Sequence, residues 1–237
     1  MNNNLEFNDG VYVNDNAVSK SFVSNVFAYM ALALAISGAL AYLFGTTELI
    51  SSLVTRSGMT TLGWVVMFAP FAFILAMNFG FNKMSFTTLL AVFLGYAAVM
   101  GISLSFIFLV YDLGFITKVF FITAGLFGAM AFIGYTTKTD LTKFGGILMM
   151  AVIGIVIASV VNMFMKSSQM DYIISCVGVL VFTGLTAYDV QKIKRIGAGV
   201  EFGTAEASKL ALMGALNLYL DFVNLFMFLL RVFARRD

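Results

Sequence analysis

The sequence predicts an all-α integral membrane protein with seven transmembrane helices. Three observations predict it: a composition too apolar for a water-soluble core, seven apolar runs of bilayer-spanning length, and charge confined to the stretches between them. Of the 237 residues, 61% are hydrophobic and 11% charged, against about 45–50% and about 25% in soluble domains. The net charge of +2 falls at the ends of apolar runs, so it reports topology, and no nucleic-acid partner is expected. With Cys176 as the single cysteine and no histidine, an internal disulfide, a Cys/His zinc site and a histidine-based triad are excluded. Cys176 itself lies in an apolar run and reads as a small buried hydrophobe. A response to pH near neutrality has to come from carboxylates.

Residues 1–20 are rich in Asn and Asp and lack the basic start and small-residue cleavage site of a signal peptide, so they are expected to form a mobile polar tail. Residues 21–237 form one transmembrane domain. A spanning helix needs about 20 mostly apolar residues, and such runs lie at 23–45, 61–80, 85–110, 115–135, 144–165, 172–189 and 210–232. Only Phe81, Asn82, Lys83 and Met84 separate the second from the third, which requires a tight hairpin. Asp112 and Gly114 are turn residues in the short connection before the fourth. Ala124, Gly128 and Gly134 on the fourth span and Gly146 and Gly154 on the fifth are spaced for close helix packing. The longest connection is expected at 191–209.

Seven spans put Lys20, Lys83, Lys138, Lys143, Lys192, Lys194, Arg195 and Lys209 on the side of the amino terminus. Arg56, Lys118 and Lys166 fall opposite, with Arg231, Arg235 and Arg236 at the tail. The bias among loops puts the amino terminus in the cytoplasm. A seventh segment that turned back would bring the basic tail to the same side.

Most charged residues lie where a side chain can snorkel or a loop can solvate it. Asp221 does not, because it sits inside the apolar run 218–226, where an acid costs about 2.5–3.5 kcal/mol on insertion scales. It must face the bundle interior, carry a proton or have a partner. Asn217 and Asn224, four before and three after it, complete a polar stripe on one helix face. The stripe could simply glue helices together, but an amide would do so more cheaply than an acid, which favours a functional role. Asp189 follows Tyr188 near the end of the sixth span and could reach interfacial water or pair with Lys192. If the sixth and seventh helices are adjacent and antiparallel, Asp189 and Asp221 enter the membrane from the same side and can line one cavity.

The run 184–193, with Tyr188, Asp189 and Gln191, followed by 216–231, with Leu220, Asp221, Phe222, Asn224, Leu225 and Phe226, resembles the Bax inhibitor-1 (TMBIM) family in its bacterial branch. The stretch 121–143, with Gly134, Tyr135, Thr136, Thr137, Lys138 and Asp140, is similar to that branch too. The resemblance covers nearly the whole chain after the tail. It implies a central seventh helix wrapped by the other six, and a pH-sensitive calcium leak through the membrane, with calcium and protons as partners and no resident cofactor. It further implies that Asp189 and Asp221 share a proton and hold calcium in passing. In a leak-forming member of the family an arginine near the end of the second helix meets the pair, whereas here the second span has no basic residue before Lys83. An arginine latch is therefore not expected, and an insertion near 197–203 lengthens the spacing between the acids.

Two other readings compete. An intramembrane aspartyl protease also uses two embedded acids, one preceded by tyrosine, as Tyr188 precedes Asp189. Leu218 to Asp221, however, lacks a Gly-x-Gly-Asp turn, and Pro70 is the only proline, so no Pro-Ala-Leu element exists. The second is a non-transporting regulator that binds another membrane protein, such as a quality-control protease. Hard oxygen ligands suit calcium, but two carboxylates fall short of the 6–8 oxygens it prefers. Two carboxyls in one poorly solvated site cannot both ionise cheaply, so their shared proton is the candidate pH switch.

Overall fold

Polar residues spaced through the apolar sequence cap the helices and so set their boundaries. The computed structural model describes residues 15–201 and 203–234, with side chains from residue 19 onward. Thr60, Ser85, Asp112 and Ser167 accept from the backbone N–H groups of Gly63, Thr88, Phe115 and Met170. These bonds satisfy donors that a helix start leaves unpaired. They open α2 (Thr61–Gly80), α3 (Phe86–Leu104), α4 (Leu113–Thr136) and α6 (Ser168–Gly199). Thr204 caps α7 (Ala205–Ala234) through Ala207 N–H at 3.1 Å. With α1 (Asp15–Thr46) and α5 (Gly145–Met165), seven helices among the described residues are long and apolar enough to cross a membrane. Helices satisfy their own backbone groups, as a hydrocarbon environment demands. The only strands among the described residues are β1 (Val54–Thr55) and β2 (Gly58–Met59), paired antiparallel between α1 and α2, with Gly58 at φ 123°.

The α2–α3 hairpin turns at the expected place, with Lys83 and Met84 N–H both bonding Gly80 O. Several boundaries differ from the sequence reading. Helix α1 begins at Asp15, so residues 15–20 are helical and Ser19 Oγ donates to Lys194 O at 3.0 Å; residues 1–14, the rest of the expected tail, lie outside the described residues. Asp112 caps α4, and Gly114 falls inside that helix rather than in a turn. The connection expected at 191–209 shrinks to residues 200–204, because α6 continues to Gly199. At 1.5 Å per residue its 32 residues run about 48 Å, beyond the ~30 Å hydrocarbon core. Its polar end is held by contacts described below. Helix α7 is one continuous helix of 30 residues, so the seventh segment does not turn back.

Helix α7 is the centre of the bundle: 72% of its apolar window is buried inside the protein. It packs most closely on α6, α1, α4 and α3, while α2 lies on α3 and α5 on α6 at the periphery. Helix α7 is thus central, with α6, α1, α4 and α3 packed on it and α2 and α5 facing it across cavities. The close approaches are also redistributed. A Cβ on Gly134 would strike the backbone of Ala187, and one on Gly101 would come within 2.6 Å of the backbone of Ser37. A Cβ on Gly128, Gly146 or Gly154, expected to pack, would meet no atom of another helix within 4 Å.

Candidate functional site

Helices α6 and α7, adjacent and joined by the short connection 200–204, run antiparallel and bring the two acids together from one side. The carboxyls of Asp189 and Asp221 face each other closely enough to interact, and a hydrogen bond between them would need a proton on one. Asp221 is 5% exposed, and its Oδ2 is buried without a hydrogen-bond partner among the described residues. Asp189 is half-buried and feels the charge of Lys192, one turn further along α6.

A cavity of about 310 Å³ opens beside the pair, bounded by Gly145, Met149 and Val152 of α5, by Tyr188, Asp189 and Lys192 of α6, and by Asn217, Leu220, Asp221 and Asn224 of α7. The predicted stripe therefore faces one space, with all five sequence-predicted site residues on its wall. Asn224 Nδ2 donates to Leu220 O at 2.8 Å, tying its carboxamide back to its own helix. The Tyr188 ring sits where a Cβ on Gly145 would be, 2.7 Å away, so α5 reaches α6 here because residue 145 has no side chain. No third Asp, Glu or Cys joins the pair among the described residues. Helix α2 contributes no residue to this cavity; Lys192 is the cation that lines it.

Three polar clusters support the site. Gln191 clamps the α4–α5 connection: its Oε1 accepts from Leu141 N at 2.8 Å and its Nε2 donates to Thr139 O at 2.8 Å. Beside it Lys194 Nζ donates to Tyr135 O at 2.8 Å, over the Tyr135 ring, and Arg195 pairs with Asp140 at 2.7 Å. Asp140 also accepts from the Thr142 hydroxyl and backbone N–H. The Thr142 bonds first, then Arg195, hold its carboxyl down at about 2. On another face of α7, Ser37 Oγ bonds the Tyr219 hydroxyl and donates to Ala97 O, both at 2.7 Å. At the opposite end of the bundle Arg231 pairs loosely with Asp171 at 3.9 Å.

Sequence reasoning missed Gln191 and the Ser37–Tyr219 pair as anchors. The available signal was the same one that found Asp221, a polar side chain inside or just beyond an apolar run.

The family model described as Inhibitor of apoptosis-promoting Bax1 matches residues 19–237. The chain belongs to the Bax inhibitor-1 family. Within the family it is 41% identical over 219 residues to an uncharacterized protein of Borreliella burgdorferi, covering 92% of this chain and 94% of that one. It is 38% identical over 218 residues to the inner membrane protein YbhL of Escherichia coli K12, covering 92% of each. An uncharacterized membrane protein of Streptococcus pyogenes serotype M3 is 32% identical over 229 residues, covering 96% of this chain and 98% of that one. The family match and seven helices long and apolar enough to span make this a membrane protein of that family.

Proposed function

We propose that this Bax inhibitor-1 family member is a pH-sensitive calcium leak of the bacterial inner membrane, with Asp189 and Asp221 as its proton-sharing switch. The observation that carries the reading is the approach of two carboxyls on the wall of a largely apolar cavity between α5, α6 and α7. One proton held between the acids keeps α6 and α7 together. Its loss sets two like charges against each other, which either separates the helices or draws a cation between them. The carboxylates and the amide oxygens of Asn217 and Asn224 offer hard oxygens, and water completes the 6–8 that calcium prefers. A shell so incomplete binds weakly enough for release. Lys192 competes with the cation for Asp189 from the amino-terminal side.

Purified protein in liposomes should release calcium faster than empty liposomes, with a rate that depends on pH. Asp189→Asn and Asp221→Asn each remove the like-charge repulsion while nearly keeping the shape, so each variant should flatten the pH profile. Wild-type liposomes no leakier than empty ones at every pH would overturn the reading.

The same two-acid contact would also suit a hydrolytic dyad, and cleavage of a transmembrane substrate, lost in both Asn variants, would favour that instead. No relative named above carries an enzyme's name. The loop-charge bias favours an amino terminus in the cytoplasm. Single cysteines at residues 138–143 in a Cys176→Ala background should therefore be labelled from the cytoplasmic side only.

A further inference from the structure

A second cavity, of about 650 Å³, lies between α2, α3 and α7 and includes Tyr96, Ser103 and Arg231 in its wall. Leu220 and Asn224 line both this cavity and the one that holds the acid pair. Each cavity lies between α7 and one of the two peripheral helices, α5 for the first and α2 for the second. The first has Lys192 and Asn217 toward the amino-terminal side, and the second reaches Arg231 in the last turn of α7. From Asn217 to Arg231 the two cover about 21 Å of helix at 1.5 Å per residue, most of a ~30 Å hydrocarbon core.

We propose that Asn224 is the septum between two half-pathways along α7, and that moving its side chain joins them. Leu220 shares the position but offers only hydrocarbon. Asn224 is half-buried, polar, and folded back onto Leu220 O by a single hydrogen bond, so it can swing aside and still solvate what passes. The second cavity is equipped for a hydrated occupant. Ser103, Asn224 and Arg231 put polar side chains on its wall. As a route for calcium this rests on the leak reading; as a barrier to water-borne reagents it does not.

The test is cysteine accessibility in sealed membrane vesicles of both orientations, in a Cys176→Ala background, with a membrane-impermeant cationic thiosulfonate. Asn217→Cys, in the acid-pair cavity alone, should react from the amino-terminal side. Ser103→Cys, in the second cavity alone, should react only from the other side. Adding Asn224→Ala or Asn224→Ser should make Ser103→Cys react from the amino-terminal side as well, and adding Asn224→Leu should not. The septum is overturned if Ser103→Cys stays closed to that side in both small variants, or if it reacts from both sides with Asn224 intact. It is equally overturned if Asn217→Cys is unreachable from the amino-terminal side, or if both small variants fail to fold, which would make Asn224 a structural residue. A positive accessibility result with no wild-type calcium flux would sink the leak and leave the septum standing.

Discussion

Helices α5 and α7 have similar credentials as membrane spans and opposite places in the protein. Helix α7 carries an aspartate and two asparagines and is buried over 72% of its window; α5 carries no charge between Gly145 and Met165 and is buried over 6%. In water the ranking would be reversed, because the most apolar segment would be driven inside. In a bilayer the lipid is as apolar as a leucine side chain, so hydropathy does not point inward. What points inward is whatever lipid cannot satisfy. Asp221, Asn217 and Asn224 therefore draw α7 to the centre, and α5, with nothing to hide, faces the acyl chains.

The sharpest way to break this contrast is to shorten one side chain on each helix. Leu218 on α7 is fully buried, and Ile153 on α5 is 53% exposed. Leu218→Ala should destabilise the fold by about 2–5 kcal/mol, since a cavity is left that the bundle cannot fill. Ile153→Ala should stay within about 0.5 kcal/mol, because acyl chains replace the lost contact. Unfolding in lipid-like micelles would measure both, and equal losses would mean that α5 is packed rather than peripheral.

A peripheral helix still has to be held, and α5 is held at its amino-terminal end by the Gln191 clamp. Gln191→Leu leaves Leu141 N–H and Thr139 C=O without their side-chain partner, and because both groups are only partly buried the loss is about 0.5–1.5 kcal/mol per bond. Hydrogen exchange should show the 137–145 segment opening far more often in that variant, with α7 protection unchanged. Equal loosening of both would show that the clamp supports the whole bundle.

The same contrast explains what could be read from the sequence. Seven spans were legible because bilayer thickness imposes one length on all of them, and Asp221 with its two asparagines was legible because an acid in hydrocarbon needs a reason. The end of α6 was not. Residues 191–199 are polar, and a hydropathy window stops at Asp189, but their contacts run sideways from Gln191, Lys194 and Arg195 to the α4–α5 connection. Those partners lie some fifty residues away in sequence. The glycines failed for a related reason: a Cβ on Gly134 would meet Ala187 while one on Gly154 would meet no other helix, and spacing alone does not say which helix face has a neighbour.

The smallest effect belongs to the outermost contact, the exposed Asp140–Arg195 pair beside the clamp. Its carboxyl is bound by Thr142 and Arg195 and held at about 2, below the ordinary 3.8. A carboxyl that titrates lower in the folded state than in the unfolded one favours folding wherever it is ionised. That contribution is complete above the ordinary value and is lost as pH falls through about 2. Asp140→Asn keeps an acceptor for Thr142 but gives up the charge. It should lower the melting temperature slightly at neutral pH, less in high salt because the pair is exposed, and match the wild type once the pH falls below about 2. A difference that survived at that pH would mean that Asp140 acts as a neutral cap on the Leu141–Phe144 turn. Position 140 would then hold α5 by geometry, as Gln191 does, and not by charge.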